Sequence, residues 1–184
     1  MNLPNKLTIS RMVLTVVFLL FLFAHGAIYK ILAFFTFLIA ALTDFLDGHI
    51  AKKYNLVSDF GKLMDPIADK VLTISAFLAF VEMDIVPAWM VMIIIFREFV
   101  VTGMRLLALQ KHEVIEATMG GKHKTVSQMA SIFIILLFII YREFGRPFPE
   151  DIILVLMTVT VILTIISGIS FFLRNRRIIW PNER

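Results

Sequence analysis

Long apolar stretches separated by short polar segments dominate the pattern of this 184-residue chain. Most stretches are apolar on every side rather than along one stripe, which is typical of helices that cross a bilayer. We therefore expect an all-α integral membrane protein, a six-transmembrane-helix bundle in which residues 1–184 form one domain. The predicted spans cover residues 7–24, 29–52, 62–81, 86–109, 126–141 and 152–173.

The overall composition agrees with a membrane location. Hydrophobic residues make up 59% of the chain and charged residues 17%, and the mean hydropathy is +0.88, which is too apolar for an ordinary soluble domain. The net charge of +4 does not by itself indicate nucleic-acid binding. No nucleic-acid-binding motif accompanies it, and basic residues are expected beside anionic lipid headgroups on the cytoplasmic side.

The basic residues are distributed unevenly between the two ends of the predicted spans. Lys30, Arg142 and Arg146 lie toward one side, whereas most of the other Lys and Arg residues lie toward the opposite side. The positive-inside rule then predicts that both termini are cytoplasmic. The end of the second span and the start of the third fall on the same cytoplasmic face.

Four aspartates lie inside apolar helical sequence at that face, where an ionised carboxylate is costly unless a cation compensates it. On the second span, acids and small residues occupy positions i, i+3, i+4 and i+7, and on the third they are four positions apart. Acids and small side chains therefore share one face of each helix. The small residues leave room for a bulky ligand. The two stripes comprise Asp44, Asp47, Gly48 and Ala51 on the second span, and Gly61, Asp65 and Asp69 on the third.

The four carboxylates predict a site for hard divalent cations. The chain has no Cys, and its His residues have no metal-ligand spacing, so oxygen ligands favour Mg²⁺ first and Mn²⁺ second. Two ions would neutralise the four charges, and ion pairs about 4 Å apart are a recurrent device for phosphoryl or phosphatidyl transfer. Asp65 is either the N-cap of the third helix, with Pro66 as the first helical residue, or part of a kink inside a helix that begins near Asp59. The sequence leaves both alternatives open.

The residues between Asp44 and Asp69 follow the pattern D-x2-D-G-x2-A-K-x8-G-x3-D-x3-D. This pattern resembles the signature of the CDP-alcohol phosphatidyltransferase family at every spacing. Lys52 stands where the family more often has Arg, and an ammonium contacts phosphate without the bidentate fork of a guanidinium. The resemblance implies a membrane enzyme of phospholipid synthesis, active as a homodimer in the bacterial cell membrane.

The resemblance also implies a mechanism. CDP-diacylglycerol would enter from the membrane lipids, with its pyrophosphate bridging two ions held by the four aspartates. The cytidine would lie against Gly48, Ala51 and Gly61, with Thr43 and Lys52 nearby. Asp69 is the expected general base for the acceptor hydroxyl. CMP would leave, and no covalent enzyme intermediate is required.

The segment from Asn2 to Arg11 resembles the opening of bacterial members of the family. By that resemblance Asn5, Thr8 and Arg11 come near the nucleotide or its phosphates. The alternative is that Asn5 caps the first helix and Arg11 extends to the headgroups. A cleaved signal peptide is a further alternative for these basic and apolar residues.

Charged residues in the fourth span point to a second polar site. Arg97 and Glu98 lie deep in that span and Arg105 follows two turns later. Adjacent residues diverge by about 100° on a helix, so we expect Arg97 and Glu98 to find partners on other helices instead of pairing simply along one face. Residues 120–125 read as a flexible loop in which Lys122 and Lys124 hold a phosphate.

These segments resemble the branch of the family whose acceptor is sn-glycerol 3-phosphate. Arg105, Lys122 and Lys124, with Arg97, are therefore expected to bind the acceptor phosphate, and the product would be phosphatidylglycerophosphate. One alternative is an enzyme of the same family with phosphatidylglycerol, serine or an inositol derivative as acceptor. Another is a divalent-cation transporter, because aspartates inside a membrane also mark ion pathways.

Overall fold

The computed structural model describes residues 3–54, 59–110, 119–146 and 150–179, with the side chains of residues 9–43, 70–108, 121, 123–146 and 150–175. These residues form six α-helices, one for each predicted span, which confirms the all-α prediction. The helices are α1 (Leu3–Phe23), α2 (Ala27–Tyr54), α3 (Asp59–Glu82), α4 (Ala88–Gln110), α5 (Met119–Glu143) and α6 (Glu150–Ile179).

Two described segments are long and apolar enough to cross a membrane, namely His123–Glu143 and Glu150–Asn175. Several helices also expose large apolar side chains. Leu20 on α1 and Ile28 on α2 are each 67% exposed, and Val155 on α6 is 63% exposed. Helices that are apolar outside as well as inside are suited to contact with lipid rather than water.

The chain divides into two compact units. The first comprises Met1–Phe80 and Ile132–Pro149, and the second comprises Val81–Ser131 and Glu150–Arg184. The residues of α5 are thus divided, with the N-terminal half assigned to the second unit and the C-terminal half to the first.

Aromatic packing dominates the interior of the first unit. The ring of Phe37 on α2 lies 5.3 Å from Phe18 on α1 and 5.3 Å from Phe133 on α5, measured between centroids. Ala33 and Ala40 occupy the same stripe of α2 and are fully buried. Such small residues let neighbouring helices approach closely. The stripe therefore combines one large ring with small residues on either side of it.

A lysine side chain supplies hydrogen bonds to the backbone carbonyl groups at the end of α1. The ammonium of Lys30 donates to the carbonyl oxygens of Leu22 (2.6 Å) and Ala24 (2.8 Å), which are among the last carbonyls of the helix. A cation is favourable at this position because carbonyl groups at a helix C-terminus lack helical partners. Gly26 turns the chain into α2 with a φ of 108°, a conformation that suits glycine.

The second unit packs α4 against α6. Val101, Met104 and Phe171 form a buried apolar cluster between these helices. Nearer the middle of the helices, Gly168 lies directly beside Arg97, since a Cβ at position 168 would be 3.0 Å from Arg97 Cγ. The helix α6 loses regular geometry at Asn175 (φ −112°, ψ 15°).

Hydroxyl groups connect α5 to α6 in the same unit. Ser127 and Ser131 on α5 each lie 2.8 Å from Thr160 on α6, measured between hydroxyl oxygens. The Thr160 hydroxyl also donates to the carbonyl oxygen of Leu156 at 3.0 Å. Thr160 therefore accepts from the two serines while it donates to its own helix, a common form of contact between membrane helices.

Candidate active site

The eight motif residues lie on two helices. The helix α2 extends through the first stripe as far as Tyr54, and α3 carries the second from its first turns onward. Helical geometry thus places the acids of each stripe on one face, as the spacing predicts. The side chains from Asp44 to Asp69, including those of Gly48, Ala51, Lys52 and Gly61, lie outside the described ones, so the four-aspartate metal site stays a prediction.

The start of α3 decides between the two alternatives for Asp65 and Pro66. Because α3 begins at Asp59, both residues lie inside the helix and Asp65 is not its N-cap. Among the side chains that the structure describes, no group of three His, Asp or Glu residues is arranged to hold a metal ion. The carboxylates of the motif are consequently the candidates that the sequence offers.

The predicted nucleotide residues lie on α1 and α2. Asn5 and Thr8 fall within α1, which begins at Leu3, so Asn5 is inside the first turn and is not the capping residue. Arg11 is only 3% exposed, which argues against its extension to lipid headgroups. The hydroxyl of Thr43 donates to the carbonyl oxygen of Ile39 at 2.8 Å.

A buried ion cluster forms the centre of the second predicted site. Arg97 Nη1 donates to Glu98 Oε1 at 3.2 Å, and Arg97 Nη2 donates to Ser167 Oγ at 2.9 Å. The ammonium of Lys124 donates to the same Glu98 oxygen. We call Arg97, Glu98, Lys124 and Ser167 the Arg97 cluster. It joins α4, α5 and α6 within the second unit.

The Arg97 cluster brings two cations, Arg97 and Lys124, to one oxygen of the Glu98 carboxylate. The side chains of Arg97, Glu98 and Lys124 are 11%, 9% and 6% exposed, so they are largely removed from solvent. Arg97 Nε is buried with no hydrogen-bond partner in the described part of the protein. An unsatisfied buried donor is costly and calls for an explanation. This Nε of Arg97, close to a second cation, is a donor suited to an anion.

Two expectations about this region are wrong and one is confirmed. Arg97 and Glu98 do contact each other, because their long side chains bridge the angle between adjacent positions. Residues 120–125 are not a loop, since α5 begins at Met119 and continues through them. The expectation of partners on other helices is confirmed by Ser167 on α6 and Lys124 on α5.

The remaining predicted acceptor residues differ in their surroundings. The guanidinium carbon of Arg105 lies 5.7 Å from the centroid of the Phe171 ring, a cation–π geometry, and its side chain is exposed. Lys122 is in the first turn of α5, and its side chain lies outside the described ones. The structure thus brings Arg97 and Lys124 together through Glu98, while Arg105 lies farther along α4.

The sequence reasoning missed Ser167, Gly168 and Gln128. Gln128 is 4% exposed, and its amide nitrogen is buried with no hydrogen-bond partner among the described residues. A signal was present in the chain, because polar and small residues recur at helical spacing within two very apolar helices. The stripes are Lys124, Ser127, Gln128 and Ser131 on α5, and Thr160, Thr164, Ser167 and Gly168 on α6.

Comparison with known proteins identifies the family. The sequence model of the CDP-alcohol phosphatidyltransferases matches residues 1–176. The CDP-diacylglycerol--glycerol-3-phosphate 3-phosphatidyltransferase of Bacillus subtilis (strain 168) is 37% identical over 187 residues, covering 95% of each chain. The Rickettsia typhi protein of the same name is 37% identical over 172 residues, covering 93% of this chain and 95% of the relative.

A third relative is the probable phosphatidylglycerophosphate synthase of Mycobacterium tuberculosis (strain H37Rv). It is 35% identical over 179 residues, covering 96% of this chain and 82% of the relative. The three relatives each match more than nine tenths of this chain, and the residues matched by the family model, 1–176, include the positions of the acidic motif and of the Arg97 cluster. The chain belongs to the CDP-alcohol phosphatidyltransferase family.

Proposed function

We propose that this protein transfers the phosphatidyl group of CDP-diacylglycerol to sn-glycerol 3-phosphate, with phosphatidylglycerophosphate and CMP as products. Two of the relatives described above carry this reaction in their names. The Arg97 cluster is the observation that carries the acceptor assignment. Two neighbouring buried cations, one of which has an Nε donor without a hydrogen-bond partner among the described residues, suit an anionic acceptor better than serine or inositol.

The motif carboxylates fit a divalent-metal site by their chemistry. Asp44, Asp47, Asp65 and Asp69 supply oxygen ligands only, which suits Mg²⁺ or Mn²⁺. We propose that they hold two such ions per site. When bound, the ions would supply charge stabilisation for the pyrophosphate of the lipid substrate.

Asp69 is the proposed general base. Its carboxylate would take the proton from the acceptor hydroxyl as that oxygen attacks the phosphorus that bears diacylglycerol. The new oxygen–phosphorus bond forms as the bond from this phosphorus to the bridging oxygen of CMP breaks, and CMP leaves with the bonding electrons. Phosphatidylglycerophosphate keeps the diacylglycerol phosphate, so atoms and charge balance without an enzyme-bound intermediate.

The remaining predicted residues would bind the two substrates. The nucleotide would be held by residues of α1 and the motif, and the acceptor phosphate by basic residues of α4 and α5. Small motif side chains suit a close approach of the cytidine. The proposed sets are Asn5, Thr8, Arg11, Thr43, Gly48, Ala51, Lys52 and Gly61 for the nucleotide, and Arg97, Arg105, Lys122 and Lys124 for the acceptor.

The proposed setting is the bacterial cell membrane. We propose one catalytic domain with six spans, an active site at the cytoplasmic face, both termini cytoplasmic, and a homodimeric assembly. The correspondence of six helices to six apolar stretches and the uneven basic charge support this topology. A family match over residues 1–176 supports the single domain.

The reaction is tested by the release of CMP from CDP-diacylglycerol by purified protein in detergent with Mg²⁺. Glycerol 3-phosphate, serine, inositol, inositol phosphate and phosphatidylglycerol are supplied separately. We expect release with glycerol 3-phosphate alone and its loss on chelation or in Asp69→Asn. Asp151→Asn, an exposed carboxylate at the start of α6, is the matched control and should retain activity.

Other results would change the proposal in defined ways. Release with another acceptor would contradict the acceptor assignment but keep the metal-dependent transfer. Folded protein that is silent with every acceptor would contradict the enzyme assignment. A metal-flux assay in proteoliposomes would then test the transporter alternative.

A further inference from the structure

We propose that Ser167 and Gly168 on α6, together with Glu98 on α4, are positioning residues that set Arg97 and Lys124 for the phosphate of the acceptor. The inference rests on the proposed function and extends it to a helix that carries none of the predicted site residues. Its basis is the geometry around a single guanidinium group, which contacts α6 at two consecutive positions.

The first contact fixes the orientation of the guanidinium. Arg97 Nη2 donates to Ser167 Oγ at 2.9 Å while Nη1 donates to Glu98 Oε1 at 3.2 Å. The guanidinium is planar, so two such bonds from its two terminal nitrogens determine how the plane is turned. Ser167 is 2% exposed, and water cannot readily replace its hydroxyl as the acceptor of this bond.

The second contact fixes the path of the Arg97 side chain. A Cβ at position 168 would lie 3.0 Å from Arg97 Cγ and 3.9 Å from Arg97 Nε. A side chain at position 168 would make a contact tighter than most Cβ contacts, so the arginine stem would have to move by a few tenths of an ångström. Gly103 on α4 gives the contrast, because a Cβ there would meet no atom within 4 Å. An added methyl group would therefore press on the Arg97 stem at position 168 but on no neighbouring atom at position 103.

Glu98 extends the arrangement to the second cation. One oxygen of its carboxylate accepts from both Arg97 Nη1 and the ammonium of Lys124. Two buried cations near each other repel strongly in a medium of low dielectric constant, and an anion between them offsets this repulsion. Glu98 thereby holds a residue of α4 and a residue of α5 at a fixed separation.

The contacts of the Arg97 cluster differ from contacts that only hold helices together. The Ser131–Thr160 contact connects α5 to α6 with neutral hydroxyls and buries no charge. The Arg97 cluster instead buries two cations, and Arg97 Nε has no hydrogen-bond partner among the described residues. A contact that only holds helices together does not need a charged donor without a partner, such as Arg97 Nε. A site that binds an anion does need such a donor.

Steady-state kinetics of Ser167→Ala test the role of the hydroxyl. We expect the KM for glycerol 3-phosphate to rise about tenfold, since a hydrogen bond to a charged group is lost, while kcat and the KM for CDP-diacylglycerol change less than about twofold. Ser131→Ala is the matched control, because Ser131 is equally buried and also loses one hydroxyl contact. It should leave all three constants near the wild-type values.

Gly168→Ala provides a second, independent variant. The added methyl would displace the Arg97 stem, so we expect a similar selective rise in the KM for glycerol 3-phosphate. Gly103→Ala is its control and should behave as wild type. Size-exclusion profiles in detergent identify any variant that does not fold. If one α6 variant does not fold, the other variant and its control test the positioning role.

The outcomes separate this inference from the proposed function. Arg97→Gln is measured alongside, and its KM for glycerol 3-phosphate should rise more than that of either α6 variant. If Arg97→Gln has this effect while Ser167→Ala and Gly168→Ala match their controls, the positioning role is overturned and the proposed function stands. If wild-type protein does not use glycerol 3-phosphate, the proposed function itself fails.

Discussion

The α1–α2 pair of the first unit and the α4–α5–α6 group of the second unit bury polar side chains in different ways. In the pair, Thr15, Lys30 and Thr36 each bond backbone carbonyl oxygens at most eight residues away. In the group, polar side chains bond one another between helices, and Arg97 and Ser167 are separated by 70 positions. Both units bury cations, Arg11 and Lys30 in the first and Arg97 and Lys124 in the second, but Lys30 bonds backbone carbonyls whereas Arg97 and Lys124 bond side chains of other residues.

The difference indicates which polar groups serve folding and which serve function. A side chain that bonds a nearby carbonyl is satisfied by backbone close to it in the chain and needs no side-chain partner on another helix. A charge cluster within an apolar protein gains little net stability, because desolvation offsets the attraction between the charges. Its presence in α4–α5–α6 is therefore better explained by ligand binding than by stability.

Replacing Glu98 by Gln is expected to have the largest effect. The substitution removes the anion between Arg97 and Lys124, so the free energy of unfolding should fall by about 3 to 5 kcal/mol. In protein that remains folded, the KM for glycerol 3-phosphate should rise at least about tenfold. Denaturant titration in detergent and steady-state kinetics measure the two quantities.

Glu82→Gln is the control for this change, because Glu82 is an exposed glutamate at the end of α3. It should alter neither stability nor kinetics. If Glu98→Gln lowers stability but leaves the KM unchanged, the ion cluster of the second unit is structural, and the contrast between the two units loses its functional meaning.

Replacing Phe37 by Ala tests the apolar packing of the first unit. Phe37 is fully buried against Phe18 and Phe133, so the cavity should lower the free energy of unfolding by about 3 kcal/mol. The KM for glycerol 3-phosphate should stay within about twofold of wild type, because no acceptor residue is lost. Thermal or denaturant unfolding combined with kinetics checks both statements.

Phe35→Ala supplies the control on the same helix. Phe35 is 52% exposed, and its loss should change stability by less than about 0.5 kcal/mol. Equal effects of the two substitutions would contradict the packing assigned to α2.

The smallest effect is expected for Thr160→Val. The substitution removes the hydroxyl that Ser127 and Ser131 contact, and such bonds between membrane helices contribute about 0.6 kcal/mol each, so a loss of about 1 kcal/mol is expected. Thr158→Val is the control, because Thr158 is exposed and its hydroxyl bonds only the Leu154 carbonyl of its own helix. A shift in the KM for glycerol 3-phosphate in Thr160→Val alone would extend the acceptor site to this contact.

The sequence predicted the number and type of helices because apolar stretches of sufficient length leave few other structures possible in lipid. It also located the acidic motif, since four carboxylates in apolar sequence are rare and their spacing is helical. Boundaries were less certain. The glycines and lysines of residues 120–125 resemble a loop, yet α5 extends through them, and within it Lys124 contacts Glu98 on α4, a partner that local propensity does not include.

The Arg97 cluster shows where sequence reasoning ends. Sequence by itself determined that this protein is helical, apolar throughout and equipped with two groups of charged residues, because these properties depend on composition and on spacing along one helix. Only the tertiary structure decided that Glu98 joins Arg97 to Lys124 and that Ser167 and Gly168 contact the guanidinium. Contacts between residues 26 and 70 positions apart depend on how separate helices pack, and no local pattern in the chain encodes that packing.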